Sequence, residues 1–240
     1  MSPRPVRTPR ILLLLGLTLA AVAGPRSLPA AVEISATGIS LPFFDATGKL
    51  THKLLAKYGT KRDSVQNLRE VEVRYFSAED PNVVVQTLTT DEAEWDDRKW
   101  TLTGPGRIAV STAENQLTGE GFDFALGTSL LRIHRHFTMK NPEVLLTSDR
   151  ATVEVVVERA GENLKLRDVK RCEASGNLVI TVQPTAVKTY GFEKAFSEKA
   201  VYDGATRTIF FPEATRTQGK DVNATLQTMT LRLGAAPAKA

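Results

Sequence analysis

Two of the three histidines stand two residues apart in a stretch with the composition of a β-strand. His134 and His136 lie within residues 131–140. Side chains two positions apart in a strand project from the same face, so two imidazoles at this spacing can chelate a metal ion. Arg132 and Lys140 share that face, and cations beside the rings disfavour a bound divalent ion. The pattern therefore favours a solvated basic face over a metal site.

The same stretch carries enough positive charge to bind an anionic group. Guanidinium, imidazolium and ammonium groups pair with phosphates and carboxylates, as at an acidic lipid or a membrane surface. Arg135 is predicted to lie on the opposite face of the strand from the other cations. We predict that contact with an anionic headgroup involves Arg132, His134, Arg135, His136 and Lys140.

The chain lacks the sequence patterns that predict catalysis or a bound cofactor. It has no serine nucleophile elbow, no His-Glu-x-x-His and no Gly-x-Gly-x-x-Gly. The glycine pairs at residues 104–106 and 119–121 are predicted to be short turns or bulges between strands. The single cysteine, Cys172, excludes an internal disulfide and is predicted to be a small buried hydrophobic residue. We predict no enzymatic activity, no metal and no cofactor.

Length and charge limit the class of protein. The 240 residues, 42% of them hydrophobic, are enough to build one large domain or two small ones with a core. The formal net charge is +4, and residues 1–23 contain three arginines and no acidic residue, so the remainder carries 4 − 3 = +1. A nearly neutral domain disfavours nucleic-acid binding, which normally requires a concentrated basic surface.

The N-terminus has the pattern of an export signal. Three arginines precede an apolar run from Ile11 to Ala23, and small residues stand before Gly24. We predict a cleaved signal peptide or a retained membrane anchor at residues 1–24. A linker rich in proline and alanine is predicted at residues 25–35, and a disordered tail at residues 234–240.

From residue 36 to residue 233 the chain alternates apolar and polar residues, as strands with one wet face do. Glycine, asparagine, aspartate and proline interrupt the pattern at short intervals. Residues 50–58 are a weak helix candidate that a strand explains equally well. The pattern predicts an all-β sandwich, jellyroll or barrel whose first and last strands are free to pair with another chain.

A hairpin unit recurs along this region. In its clearest copy, Ala200 and Tyr202 share one face, Asp203-Gly204 supplies turn residues that tolerate positive φ, and Phe211 lies on the returning strand. Ala93 and Ala151 begin similar units. We predict repeated antiparallel hairpins.

These hairpins, the segment from Leu117 to Phe124 and the segment from Phe211 to Gly219 resemble a known family. They are similar to the periplasmic lipopolysaccharide-export bridge proteins of the LptC and LptA type, which have the OstA-like β-jellyroll. An N-terminal apolar segment before an extracytoplasmic β-domain is similar to the membrane-tethered LptC type. The resemblance implies a V-shaped jellyroll over residues 36–233, and it leaves open an LptC-like or an LptA-like role.

The resemblance also implies a function and partners. Lipopolysaccharide acyl chains would lie in a groove between two layers, and neighbouring bridge proteins would join edge to edge from an inner-membrane ABC exporter across the periplasm. We also predict that edge strands can join copies of this chain in a homo-oligomer. The predicted groove-lining residues are Val73, Tyr75, Ile108, Val110, Phe122, Phe124, Phe137, Met139, Val155, Ile180, Phe211 and Met229.

The residue pattern leaves alternatives open. Two apolar layers either pack shut or stand apart around a ligand, and alternation of residues fits both arrangements. An extracytoplasmic β-sandwich that binds carbohydrate or acts as an envelope scaffold is the second hypothesis. Its aromatic platform would require Trp95 and Trp100, which are predicted to point inward. A hydrolase with dispersed catalytic residues is the third.

Overall fold

A computed structural model describes the backbone of residues 34–44, 47–77, 80–96, 98–99, 101–112, 114–125, 128–160, 163–220 and 223–234. The side chains of 156–168 are not described. The predicted leader and most of the predicted linker and tail therefore lie outside the described residues. Within the described part of the chain, no helix has the length and apolar character needed to cross a membrane.

The described residues form strands connected by short turns, with one four-residue helix, α1 (Val187–Tyr190). The strands are β1 (Ile34–Phe44), β2 (Leu50–Arg62), β3 (Val65–Phe76), β4 (Val84–Asp96), β5 (Thr101–Ser111), β6 (Gln116–Ala125), β7 (Leu130–Lys140), β8 (Val144–Ser148), β9 (Arg150–Ala160), β10 (Asn163–Val182), β11 (Lys194–Asp203), β12 (Thr208–Phe211), β13 (Thr215–Gln218), β14 (Asn223–Leu226) and β15 (Met229–Arg232).

All fifteen strands belong to one antiparallel sheet, which confirms the all-β prediction. Its main order is β1-β2-β3-β4-β5-β6-β7-β8-β10-β11-β12-β15, so neighbours in sequence are mostly neighbours in space. Residues 50–58 are part of β2 and not of a helix. Helix α1, in the connection from β10 to β11, was not predicted.

A crease crosses the sheet near the middle of the strands. The ladder shifts register between Thr90 and Glu94 in β4, and between Gly104 and Arg107 in β5. Further along the sheet, Asp149 separates β8 from β9, which otherwise continue one another between β7 and β10. Bulges bend a strand and increase its twist. The prediction that residues 104–106 and 119–121 lie between strands is wrong, because they lie inside β5 and β6, where register shifts form bulges that help to crease the sheet.

Contacts between turns demonstrate that the creased sheet folds back on itself. In an antiparallel ladder, successive turns alternate between opposite ends of the strands. The β5–β6 and β11–β12 turns are at opposite ends, about 35 Å apart along a flat strand of 11 residues. Nevertheless, Glu114 of the first turn forms an ion pair with Arg207 of the second. The two ends of the sheet therefore meet.

The crease divides the sheet into two leaves. We call the part that ends at the β3–β4, β5–β6 and β7–β8 turns the first leaf. The part that ends at the β2–β3, β4–β5 and β11–β12 turns is the second leaf. The inward side chains of both leaves form one hydrophobic cluster, in which Phe122, Phe137 and Phe211 are among the largest fully buried side chains.

Small residues lie next to the crease in the second leaf. Ladder pairs connect Ile133 to Ala151, Ala151 to Ala174, and Ala174 to Ala200. Ala93, which pairs with Leu68, lies in the same row of residues across the sheet. The alanines that begin the predicted hairpin units therefore share one position in the fold, where a short side chain leaves room beside the bend.

The predicted turn after Asp203 forms, but the stated reason for its glycine is wrong. Gly204 does not adopt positive φ; Arg207 does, at 53°. A Cβ atom on Gly204 would lie 2.1 Å from the carbonyl oxygen of Val169, so glycine is needed for a close backbone approach. Asp203 Oδ1 accepts a hydrogen bond of 2.9 Å from the backbone N–H of Thr206, and this bond lowers the pKa of Asp203.

Candidate functional site

The predicted groove-lining residues all point into the interior. Eleven of the twelve are buried with 0–6% of their surface exposed, and Met229 is half-buried at the margin of the same cluster. Val73, Tyr75, Ile108, Val110, Phe137, Met139 and Ile180 come from the first leaf, and Phe122, Phe124, Val155, Phe211 and Met229 come from the second. In this structure these side chains are packed in the core, so a ligand would reach most of them only if the leaves separated.

An open pocket of about 510 Å³ lies where the two leaves meet, at the end of the sheet formed by the last strands. Thr217 and Ala224 line it from the first leaf, and Met229 and Leu231 line it from the second. Phe192, which follows helix α1, lines a further wall. The volume lies within the range of about 300–1,000 Å³ that is usual for small-molecule pockets. We call this the C-terminal cavity.

The five predicted headgroup residues lie on β7 and are all exposed. Arg135, predicted on the opposite face from the others, is exposed as well because it lies at a bulge opposite Glu120, where His136 has a φ of 52°. His134 Nε2 lies 3.0 Å from Asp123 Oδ2, and His136 Nδ1 lies 3.1 Å from Glu120 Oε2. Carboxylates of β6 therefore partly offset the positive charge of β7.

These cations and the interior residues are not brought together. Ile133, Phe137 and Met139 of β7 are buried in the core, whereas the cations of the same strand are exposed. His134 and Arg135 line a depression of about 600 Å³ beside the crease, and Glu92, Glu94 and Asp123 also line it. With the leaves closed, one lipid cannot have its tails in the core and its headgroup on this part of β7.

A polar network that sequence reasoning missed joins the two leaves beside the C-terminal cavity. Arg207 pairs with Glu114, and its Nε donates a hydrogen bond of 2.8 Å to the carbonyl oxygen of Gly234. The backbone N–H of Gly234 donates to Glu143 Oε1 at 2.8 Å, and the Tyr190 hydroxyl also donates to Glu143. We call the network of Glu114, Glu143, Tyr190, Arg207 and Gly234 the clasp.

Local turn structure holds the clasp carboxylates in position. Asn141 Oδ1 accepts hydrogen bonds from the backbone N–H groups of Glu143 and Val144, at 2.9 and 2.8 Å. Burial, together with the hydrogen bond to Glu143 and its negative charge, raises the pKa of Tyr190 to about 12. The Tyr190 hydroxyl therefore remains protonated and donates a hydrogen bond at neutral pH.

Comparison with known proteins does not assign the chain to a family. No protein-family model matches it, and no curated protein matches it. The candidate function therefore depends on the chemistry of the residues themselves. The C-terminal cavity and the clasp beside it are the features that combine an apolar space with polar groups at its border.

Cys172 and the remaining titratable groups offer little chemistry. Cys172 is buried, as predicted, and burial raises the pKa of its thiol to about 12, so the thiol stays protonated. In the described ranges, no group of three or more histidine, cysteine, aspartate or glutamate side chains is arranged to hold a metal ion.

Proposed function

We propose that this protein binds the acyl chains of an amphiphilic lipid between the two leaves of its sheet, in a V-shaped jellyroll. The lipid is lipopolysaccharide or a related acidic lipid, which the protein passes on without chemical change. The C-terminal cavity is the observation that carries the proposal, because both leaves contribute apolar walls to it. The proposal agrees with the resemblance to lipopolysaccharide-export bridge proteins.

The free energy that an acyl chain gains by leaving water for the apolar interior supports this proposal. Each methylene group moved from water to an apolar surrounding contributes about 0.8 kcal/mol, so an acyl chain gains several kcal/mol between the leaves. The hydrophobic cluster extends from Val73 in β3 to Leu231 in β15, so a tail that parts the leaves meets apolar side chains from many strands. Separation of the packed leaves loses the contacts between them, and this cost opposes the gain.

The edges of the sheet support a role between other proteins. Strand β1 has a described partner on one side, and it exposes Ile34, Leu41 and Phe44. At the other border, β14 and β15 each pair with one described strand, and β14 exposes Leu226. Edge strands with exposed apolar side chains are suited to pairing with a strand of another chain.

The proposed setting is the periplasm, with the leader cleaved or kept as an inner-membrane anchor. Proposed partners are other bridge proteins and an inner-membrane ABC exporter, or a second copy of this chain. The protein itself supplies no energy in this scheme. Directional movement of the lipid would therefore depend on ATP hydrolysis by the exporter.

Photo-crosslinking in cells tests the proposal. An aliphatic diazirine amino acid at Met229 or Ile180, which face the interior, is expected to capture lipid. The same amino acid at Glu72 or Glu154 is expected to capture little, because both carboxylates face outward and form ion pairs with basic side chains. Mass spectrometry of the adducts, and of lipids that co-purify with the protein, identifies the lipid.

Equal capture at the inward and outward positions would contradict binding between the leaves. Purified protein that carries no lipid, and forms no lipid adduct at Met229, would contradict the proposal as a whole. That second result would favour an envelope scaffold, in which the edge strands act without a ligand.

A further inference from the structure

The clasp borders the C-terminal cavity directly. Tyr190 and Arg232 line the cavity, and the Tyr190 hydroxyl lies 3.2 Å from the carbonyl oxygen of Arg232. Two residues further along the chain, Gly234 is held by Glu143 on one side and by Arg207 on the other. Tyr190 is the clasp residue that lines the cavity, so an amphiphile whose tail lies there and whose headgroup lies at this border would have the headgroup next to the clasp.

Arg207 is equipped to bind an anionic headgroup. Its guanidinium has five N–H donors in a planar fork, which suits the oxygen atoms of a phosphate or a carboxylate. The Nε group is engaged with Gly234, and Nη1 is engaged with Glu114. Its side chain is 24% exposed, so it is neither sealed from an incoming ligand nor fully hydrated. An anion bound here would be held more strongly than one at an open surface.

Glu114 is a replaceable partner for Arg207. It lies on the β5–β6 turn, its side chain is 29% exposed, and Arg207 is its ion-pair partner. The turn itself is held by other bonds, in which the Thr112 hydroxyl accepts from the backbone N–H of Asn115 at 2.9 Å. Glu114 can therefore turn into solvent without unfolding the turn. Another anion can then pair with Arg207 in place of this carboxylate.

We propose that Arg207 binds the anionic headgroup of an amphiphile whose tail occupies the C-terminal cavity, and that Glu114 holds this position when the amphiphile is absent. This inference rests on the proposed lipid-binding function and deepens it by naming the headgroup site. The clasp is then a latch: it joins the leaves when the cavity is empty, and an anionic ligand that displaces Glu114 opens one of its two connections, while Glu143 keeps its bond to Gly234.

Two variants that break the same ion pair test the proposal, because they are expected to act in opposite directions. Isothermal titration calorimetry measures binding of lauryl phosphate and of lauryl maltoside, which has a neutral headgroup, to the full chain. Arg207→Gln removes the anion partner and is expected to weaken lauryl phosphate binding by about tenfold or more. Glu114→Gln removes the competitor and is expected to strengthen it by up to about fivefold.

Both substitutions loosen the clasp, and this could change the binding of any amphiphile. Lauryl maltoside measures that effect alone, because its headgroup has no charge for Arg207 to recognise. Both variants are expected to change lauryl maltoside binding little, and to the same degree. The matched control is Arg216→Gln, which changes an exposed arginine of β13 that lies over the ring of Phe196 on the neighbouring strand β11. It is expected to change neither affinity. Ala224→Trp fills the C-terminal cavity and is expected to weaken binding of both amphiphiles. Circular dichroism verifies that each variant is folded.

Failure of the headgroup site and failure of the lipid-binding function give different results. If lauryl phosphate binds but Arg207→Gln and Glu114→Gln shift its affinity in the same direction, the anion exchange is wrong although lipid binding stands. If Ala224→Trp leaves both affinities unchanged, the C-terminal cavity is not the site. If the unaltered chain binds neither amphiphile, and no lipid co-purifies with it, the proposed function itself is wrong.

Discussion

Replacement of Phe211 by alanine is expected to lower the free energy of unfolding by about 3–5 kcal/mol, the usual cost of removing a buried aromatic ring. Phe211 is 0% exposed and lies in the second leaf, opposite Met229 in β15. The loss has two parts: the apolar surface no longer leaves water on folding, and a cavity remains where the ring was. Urea denaturation followed by circular dichroism measures the difference.

The neighbouring residue provides a matched control for this prediction. Phe210 is the same residue type in the same four-residue strand, but it points to the other face and is 43% exposed. Phe210→Ala is expected to cost less than about 1 kcal/mol, as most surface substitutions do. Equal losses in the two variants would mean that the leaves do not pack on Phe211, and the closed interior would be wrong.

Alternation of residues predicted the faces of the strands correctly because the period of a strand is two. Val73 and Tyr75 in β3, and Phe122 and Phe124 in β6, are buried as the pattern required. The same rule does not account for Arg135, because a bulge lies beside it. Alternation predicts a face only where the ladder continues without an extra residue.

The crease was not predictable from these patterns. Gly176 and Asn177, a pair of residue types that is common in turns, lie inside β10 with φ angles of 79° and 46°. Glycine and asparagine tolerate positive φ both in a hairpin turn and in a bend inside a strand. Local sequence therefore cannot distinguish two strands joined by a turn from one long strand that is bent.

The clasp was not predictable because its members are distant in sequence. Arg207 and Glu114 are 93 residues apart, and each lies on a turn whose own sequence predicts only a turn. Their contact exists because the sheet folds back at the crease. Reasoning from sequence selected the cations of β7 instead, since clustered charge is visible in a sequence and a contact between distant turns is not.

Acidification from pH 7 to pH 4 is expected to cost up to about 3 kcal/mol of stability through His52 alone. His52 stacks on Phe43 at 4.2 Å between ring centroids, and on Tyr75 at 5.4 Å. Burial between these rings lowers the pKa of His52 to about 4, from an ordinary value of 6.5. The imidazole is therefore neutral in the folded protein over a range of pH in which the unfolded chain binds a proton.

The sign and the pH window follow from that difference in proton binding. Above about pH 6.5 neither state holds the proton, and the contribution of His52 to stability is complete. Between about pH 6.5 and pH 4 the unfolded chain binds the proton first, so the free energy of unfolding falls as the pH falls. Below about pH 4 the folded protein also binds it, and His52 causes no further loss.

The variant His52→Phe isolates this effect from the titration of carboxylates. A phenyl ring keeps the stack with Phe43 and Tyr75 but cannot be protonated. It loses the hydrogen bond of 3.1 Å between His52 Nδ1 and the Thr51 hydroxyl at every pH, so the test compares the slopes of the two pH curves and not their heights. Urea denaturation at pH 7, 5.5 and 4 is expected to show a shallower fall in stability for the variant. Phe43 lies on the edge strand β1. As the pH falls, we therefore expect the backbone amides of β1 to lose their protection from hydrogen exchange before those of the other strands. Parallel pH curves for the two proteins would mean that His52 titrates normally, and that the stack does not hold β1 to the sheet.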